Sequence, residues 1–413
     1  MFNQIKDQTV LTLVQQENQR QIDELELIAS ENYASPSVLA ALATPLANKY
    51  SEGYPGKRYY GGNQIIDEIE NLAIDRAKQL FGAEHVNVQP LSGSPANLAV
   101  YLALLEPGDT VLGLRLDHGG HLSHGHPITI SGRLFKFVQY EVDVQTGRLD
   151  MEQVRQVAKQ AQPKLIVAGF SAYSREIDWA SFKNIANEVG ALTMADISHT
   201  AGLIAGKQLV NPTNIFDVIT TTTHKTLRGP RGAMIMCTAK LAKDIDRAVF
   251  PGLQGGPHDH VTAAKAVAFG EALQPDFQNY ARQVIANAQL LAGELQNKGY
   301  QIVSGGTDTH LLVVDLTKQN IAGRQAEEAL QKAGLSISRS TVPGDQRPPF
   351  NPSGIRLGTP AITTRGFGEV EIKQVAVWLD QALCNLENDD ILATIKQQVT
   401  TLGRRLPPPG FDN

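Results

Sequence analysis

Lys225 stands one residue after His224, at the end of the run Thr220-Thr221-Thr222-Thr223, which follows Ile215-Phe216-Asp217-Val218-Ile219. β-Branched runs of this kind form buried strands. An ammonium at a strand's carboxyl end is costly to bury unless it is paired or neutralised, and lysine lowers its pKa readily in such places. A desolvated amine there is the nucleophile that Schiff-base chemistry with an aldehyde requires. Read by itself, the segment is equally a strand that stops at a solvated, charged turn.

Other residues carry compatible chemistry. Asp196 closes a second apolar run, Leu192-Thr193-Met194-Ala195-Asp196-Ile197. A buried carboxylate needs a positive partner or several donors. A pyridinium nitrogen would supply one and be kept protonated as an electron sink; a nearby arginine is the plainer partner. His199 either packs beside such a ring or fills space. Ser92-Gly93-Ser94-Pro95-Ala96-Asn97 opens an apolar helical stretch, with Ser94 suited to the N-cap and Pro95 to the first helical position. Such a loop offers free backbone N–H groups to a phosphate, or is an ordinary capped helix start.

Residues 117–126 hold four of the ten histidines, His118, His121, His124 and His126. Metal binding is one reading, but irregular spacing and loosening glycines favour a single imidazole stacked on a heteroaromatic ring. Tyr50-Ser51-Glu52-Gly53-Tyr54-Pro55-Gly56-Lys57-Arg58-Tyr59-Tyr60-Gly61-Gly62 mixes tyrosines, glycines and charge, as ligand or subunit contacts do. Glu52 there is a candidate general acid/base. Phe250-Pro251-Gly252-Leu253-Gln254-Gly255-Gly256-Pro257 is a second glycine loop. Arg356, in an apolar strand-like setting, suits bidentate capture of a carboxylate or a structural salt bridge.

These residues need a scaffold. Apolar runs at 110–114, 165–170, 192–197 and 218–223 read as strands, with helical segments at 67–81, 151–161 and 179–189. Strands separated by helices imply βαβ units and a largely parallel sheet. Ligands of such sheets bind outside the strands' carboxyl ends, so Ser171, Asp196 and Lys225 should converge on one crevice. After residue 275 the character changes: a helix at 280–298, strands at 300–303 and 310–316, a helix at 323–333, a Pro/Gly-rich segment at 342–352 and a final helix near 370–386. The expected division is an N-terminal helical arm (1–30), packed on another subunit, a large domain (31–275) and a smaller α+β domain (276–413). Leu406-Pro407-Pro408-Pro409-Gly410 reads as a frayed tail.

Composition narrows the function classes. A net charge of -5 gives no reason to expect nucleic acid or an anionic membrane as partner. Two cysteines, Cys237 and Cys384, exclude a disulfide framework and fit a reducing cytoplasm. No signal-type segment and no uncharged run of membrane-spanning length occur.

In order, Leu27-Ile28-Ala29-Ser30-Glu31-Asn32-Tyr33, residues 52–62, residues 92–97, Gly119-Gly120-His121-Leu122, residues 220–226, residues 250–257 and residues 353–360 resemble the serine hydroxymethyltransferase family over nearly the whole chain. The resemblance implies a pyridoxal-phosphate enzyme of the aspartate-aminotransferase-like (type I) α/β fold, with a mostly parallel seven-stranded sheet and a smaller α+β domain. It implies that Lys225 holds the cofactor as a Schiff base, that Asp196 pairs with the pyridine nitrogen, and that His121 and His199 flank the ring. Ser94, Gly93, Ser171 and His224 would serve the cofactor and its phosphate, joined by Tyr50, Gly255 and Gly256 from a partner subunit. Arg356 and Ser30 would hold the amino acid, with the partner's Tyr60, and Glu52 would move the proton across the interface. Tetrahydrofolate, the cosubstrate, would lie along Leu116, Gly120, His121 and Leu122 and near Pro348, Pro349 and Phe350. The implied reaction converts serine to glycine in a homodimer, with no metal; an aldolase without folate is the alternative. Ser338-Arg339-Ser340 and Pro348 depart from the family's usual residues beside the expected pterin site.

Overall fold

The computed structural model describes residues 5–411. Its centre is a seven-stranded sheet: β1 (His85–Asn87), β2 (Thr110–Leu114), β3 (Lys136–Tyr140), β4 (Leu165–Ala168), β5 (Leu192–Asp196), β6 (Val218–Thr222) and β7 (Ala233–Cys237), in the order β1-β7-β6-β5-β4-β2-β3. Strands β6, β5, β4, β2 and β3 pair in parallel. Strand β7 runs against both its neighbours, so β1 again points the common way. The four strands read from sequence are present, with ends within two residues of those expected. Strands β1, β3 and β7 were not foreseen, although Ala233-Met234-Ile235-Met236-Cys237 has the unbroken apolar character of a central strand.

Strand residues alternate between the two faces. Leu112, Leu114, Ile166, Ala168 and Ile219 enter one core with the helices Met151–Ala161 and Trp179–Val189. Val111, Leu165, Val167, Met194 and Val218 enter the opposite core with the helix Gly93–Leu104. Both faces are covered, which leaves the carboxyl edge of the sheet as the free crevice of the layer.

A second sheet is antiparallel throughout: β8 (Gln301–Ile302), β9 (Leu311–Asp315), β10 (Ser338–Ser340) and β11 (Gly354–Gly358), ordered β8-β9-β11-β10. Its core joins Leu312, Val314, Ile355 and Leu357 to the helices Gly323–Lys332 and Glu369–Cys384. The helix Pro275–Asn297 connects the two parts: Phe277, Ala281 and Val284 pack in the first core, and Leu291 and Leu295 in the second.

Three expectations need correction. The helix near 370–386 is not the last: Asp389–Arg405 follows, capped by the Asn388 side chain accepting from Ile391 N, with Leu392, Ile395, Val399 and Leu402 buried. The tail is held rather than frayed, since Leu406 O accepts from Arg365 Nε at 2.6 Å and Pro408 is buried. The N-cap of the helix Gly93–Leu104 is Ser92, two residues before Ser94. The N-terminal helix Gln8–Asp23 is capped by Asp7 and packs along Asp389–Arg405, where Arg404 Nε meets Asp23 Oδ1 at 2.7 Å. Residues 1–4 of the expected arm lie outside the described residues.

Candidate active site

A crevice of about 1090 Å³ opens over the carboxyl ends of β2, β4, β5 and β6, and Ser171, Asp196 and Lys225 all line it. The convergence follows from the parallel pairing, which aligns Asp196 of β5 with Thr220 of β6. Lys225 is 9% exposed and makes no ion pair among the described residues. Burial, reinforced by Arg356 and Arg231 and opposed by Asp196, lowers its amine from 10.5 to about 8. Its carbonyl accepts from Asn32 Nδ2 at 2.9 Å, which fixes the turn.

Asp196 is the negative pole of the crevice. Its Oδ2 accepts from Asn97 Nδ2 at 2.8 Å and from His124 Nε2 at 3.1 Å, and its Oδ1 accepts from Ser198 N at 3.1 Å. Burial alone would raise this carboxyl, but the hydrogen bond and charge of His124 outweigh it and hold the group well below the usual carboxylate range. Thr220 Oγ1 donates to Asn97 Oδ1 at 2.7 Å, which orients the amide so that its nitrogen faces Asp196. Neither Asn97 nor His124 was assigned a role from sequence. The signal was faint: both lie within stretches singled out for other reasons, and their partner is distant along the chain.

The remaining side of the crevice is built for an anion. Ser92, Gly93 and Ser94 line it at the start of the helix Gly93–Leu104, and neither serine hydroxyl has a protein partner among the described residues. A Cβ at Gly93 would stand 2.8 Å from Thr222 Cγ2, so the loop lies against β6 only with glycine there. His224 also lines the crevice. Burial, with Arg231 and Lys225 nearby, pushes it down to about 3, and its buried Nδ1 has no partner. Arg356 reaches in from β11, donating from Nη1 to Ser171 O at 2.6 Å and from Nε to Ser338 Oγ at 3.2 Å. It has no carboxylate partner among the described residues, and burial lowers it to about 10. Among the described residues the structural salt bridge that sequence left open does not form, and one guanidinium nitrogen remains for a ligand.

Ser30, Leu116, Gly120, His121, Leu122, His199 and Pro349 also line the crevice. His121 Nδ1 lies 2.7 Å from Ser123 Oγ, and burial, then His124, lowers the ring to about 4. Gly120 is required: a Cβ would meet Leu114 O at 2.3 Å. Pro348 and Phe350 do not line the crevice, and Phe350 is 76% exposed. Tyr50, Glu52, Tyr60, Gly255 and Gly256 gather outside it instead. The Tyr50 and Tyr60 rings stand 5.6 Å apart, and a Cβ added at Gly255 would stand 3.3 Å from Glu52 Oε1 and one at Gly256 3.2 Å from Tyr50 Cε1. Tyr50 and Tyr60 are more than half exposed. Among the described residues no three His, Cys, Asp or Glu side chains converge as metal ligands would.

A lysine at the carboxyl edge of this seven-stranded sheet, a multiply hydrogen-bonded aspartate beside it and an anion loop at a helix N-terminus define the aspartate-aminotransferase-like class of type I pyridoxal-phosphate folds. The residues fit that cofactor: Lys225 is an unpaired amine, and Asp196 keeps Oδ1 capacity beyond its single donor. A family profile described as serine hydroxymethyltransferase matches residues 4–379. The chain is 54% identical over 412 residues to the serine hydroxymethyltransferase of Acidothermus cellulolyticus, covering 98% of this chain and 96% of that one. It is 56% identical over 393 residues to that of Alkalilimnicola ehrlichii (95% and 94% covered) and 55% over 410 residues to that of Desulfotalea psychrophila (99% and 96% covered). The chain belongs to the serine hydroxymethyltransferase family.

Proposed function

We propose that this protein is a pyridoxal-phosphate-dependent serine hydroxymethyltransferase, interconverting L-serine and tetrahydrofolate with glycine and 5,10-methylenetetrahydrofolate. One observation carries the reading: an unpaired, desolvated amine at Lys225 shares a crevice with Asp196 and the Ser92–Gly93–Ser94 loop. When bound, the cofactor withdraws electrons from bonds at the amino acid's α-carbon. The chain's residues do the rest. Lys225 provides the amine that carries the cofactor, and its lowered pKa keeps a useful unprotonated fraction near neutrality. Asp196 stays ionised to hold a proton at the ring nitrogen, and His121 and His199 flank the ring. Ser94, the Gly93 backbone and His224 receive the phosphate. Arg356 grips the amino acid's carboxylate with Ser30, which orients one α-carbon bond for cleavage.

Tyr50, Glu52, Tyr60, Gly255 and Gly256 act in a neighbouring subunit's crevice; the reading is supported by their gathering outside the crevice of their own chain, with Tyr50 and Tyr60 more than half exposed. A homodimer with shared sites follows, with Glu52 moving the proton. Tetrahydrofolate lies along Leu116, Gly120 and Leu122, with Pro349 at the rim. No described helix is long and apolar enough to cross a membrane, and the free Cys237 and Cys384 fit a cytoplasmic enzyme. The folate-independent aldolase draws no support from the relatives, all named hydroxymethyltransferases. Serine cleavage measured with and without tetrahydrofolate tests the proposal. Strong folate dependence is expected; indifference to folate, or no Schiff-base absorbance on adding pyridoxal phosphate, refutes it.

A further inference from the structure

His199 has a neighbour that the reaction described above does not use. Its Nδ1 lies 3.1 Å from His310 Nε2, with the ring centroids 5.3 Å apart and the planes 26° from parallel. His199 belongs to the turn after β5, and its carbonyl accepts from Thr226 Oγ1 at 2.9 Å, beside Lys225. His310 stands immediately before β9 in the second sheet, fully enclosed and outside the crevice lining. Its carbonyl accepts from Thr359 N at 3.0 Å. Both backbones are thus pinned, each to a different part of the molecule, and the rings meet across the boundary between them.

Burial drives both rings toward the neutral form, helped by Lys225 and Arg356. A neutral imidazole has one N–H, so this contact needs one ring as donor and the other as acceptor. By distance and angle the buried Nδ1 of His310 has no hydrogen-bond partner, although the Ala29 backbone lies close enough to raise the ring's proton affinity somewhat. A buried N–H left unpaired is costly and rare, so the His310 hydrogen belongs on Nε2, aimed at His199. His199 must then accept at Nδ1 and carry its own hydrogen on Nε2, the nitrogen left for the crevice it lines.

We propose that His310 is a positioning residue that fixes His199 as an Nε2–H donor toward the crevice. The proposal rests on the crevice being the reaction site, and it makes the second sheet set the hydrogen-bonding character of a residue carried by the first. A ligand atom facing His199 must therefore be an acceptor, such as an oxygen or a π face.

Histidine-labelled, ligand-free protein tests this without any reaction. Long-range proton–nitrogen correlation spectra at neutral pH should show His199 with a protonated Nε2 and an acceptor-type Nδ1. A proton on Nδ1, the state in which His310 instead donates to the Ala29 carbonyl, overturns the proposal. In His310→Leu the His199 tautomers should mix, whereas His310→Gln keeps an amide donor and should retain the native one. An unchanged tautomer in His310→Leu also overturns it. Serine turnover of the cofactor-loaded enzyme should fall roughly ten- to a hundredfold in His310→Leu with KM for serine unchanged, and recover in part in His310→Gln. A shifted tautomer with unaltered turnover refutes the positioning role. Failure of the unaltered protein to turn over serine would instead strike the assigned function, and the tautomer measurement would still decide His310.

Discussion

Replacing Lys225 by Met should stabilise the cofactor-free protein, even though it abolishes activity. The amine falls from 10.5 to about 8 because burial penalises its charge. At about 1.4 kcal/mol per unit, that shift corresponds to roughly 3 kcal/mol by which the charged lysine opposes folding. The sign follows from proton counting. Below the folded value of about 8 the ammonium is present in both states, and the cost is complete. Between about 8 and 10.5 the unfolded chain binds more protons than the folded one, so folding gains stability as pH rises. Met has similar length and no charge, so it keeps most of the packing. The expected difference is roughly 3 kcal/mol at pH 7, roughly 1.5 kcal/mol near pH 9.5, and close to none above pH 11. Urea unfolding of cofactor-stripped wild type and Lys225→Met, at matched protein concentration, measures it. A destabilised variant, or a difference that ignores pH, refutes the claim that Lys225 is desolvated and unpaired.

Glu52→Gln should leave cofactor binding intact while crippling folate-dependent turnover. Mixing it with the inactive Lys225→Ala protein should recover activity in hybrid dimers, and the absence of recovery would argue against sites shared between subunits. Arg356→Lys cannot span Ser171 O and Ser338 Oγ while also gripping a carboxylate; KM for serine should rise about ten- to a hundredfold, the worth of roughly 1.5–3 kcal/mol in charge-assisted hydrogen bonds. Asp196 sits below its ordinary range in the fold, so its stabilisation is present above about pH 4 and lost as pH falls toward the folded value. Asp196→Asn should therefore flatten the acid limb of the stability curve, and an unchanged limb would show that the carboxylate's three donors do not hold it ionised.

What the chain discloses locally and what it hides divide along sequence distance. Lys225, Asp196 and Ser171 were legible because a parallel sheet carries residues at its strand ends to one edge, and the strands themselves were apolar enough to recognise. The phosphate-type loop was legible from its serine and proline helix-start residues, although its cap is Ser92 and not Ser94. Asn97 and His124 were not, because their meaning lies in a shared hydrogen bond to Asp196 that no local pattern announces. His310 is further removed, on another sheet altogether. Strand β7 escaped notice because it runs antiparallel and has no helix before it to mark a βαβ unit. The helix Asp389–Arg405 escaped behind a glutamine- and threonine-rich exterior, though Leu392, Ile395, Val399 and Leu402 kept helical spacing throughout.

The electrostatics of the crevice join stability to chemistry. Lys225 and Arg356 face it without ion-pair partners among the described residues. Burial pushes His121, His199 and His224 toward the neutral form, so these rings add hydrogen-bonding surface but no further repulsion. Of the two aspartates that line the crevice, Asp117 is paired with Arg115, and Asp196 is committed to Asn97, His124 and Ser198 and only partly offsets the charge of Lys225. The result is a pocket whose positive potential is left for the phosphate and carboxylate ligands proposed above. Such a pocket must cost the empty protein stability and return it on binding, because a ligand that binds only the folded state stabilises it by mass action. The stability gained in Lys225→Met is thus the same quantity, seen from the other side, that makes the amine a nucleophile near neutral pH.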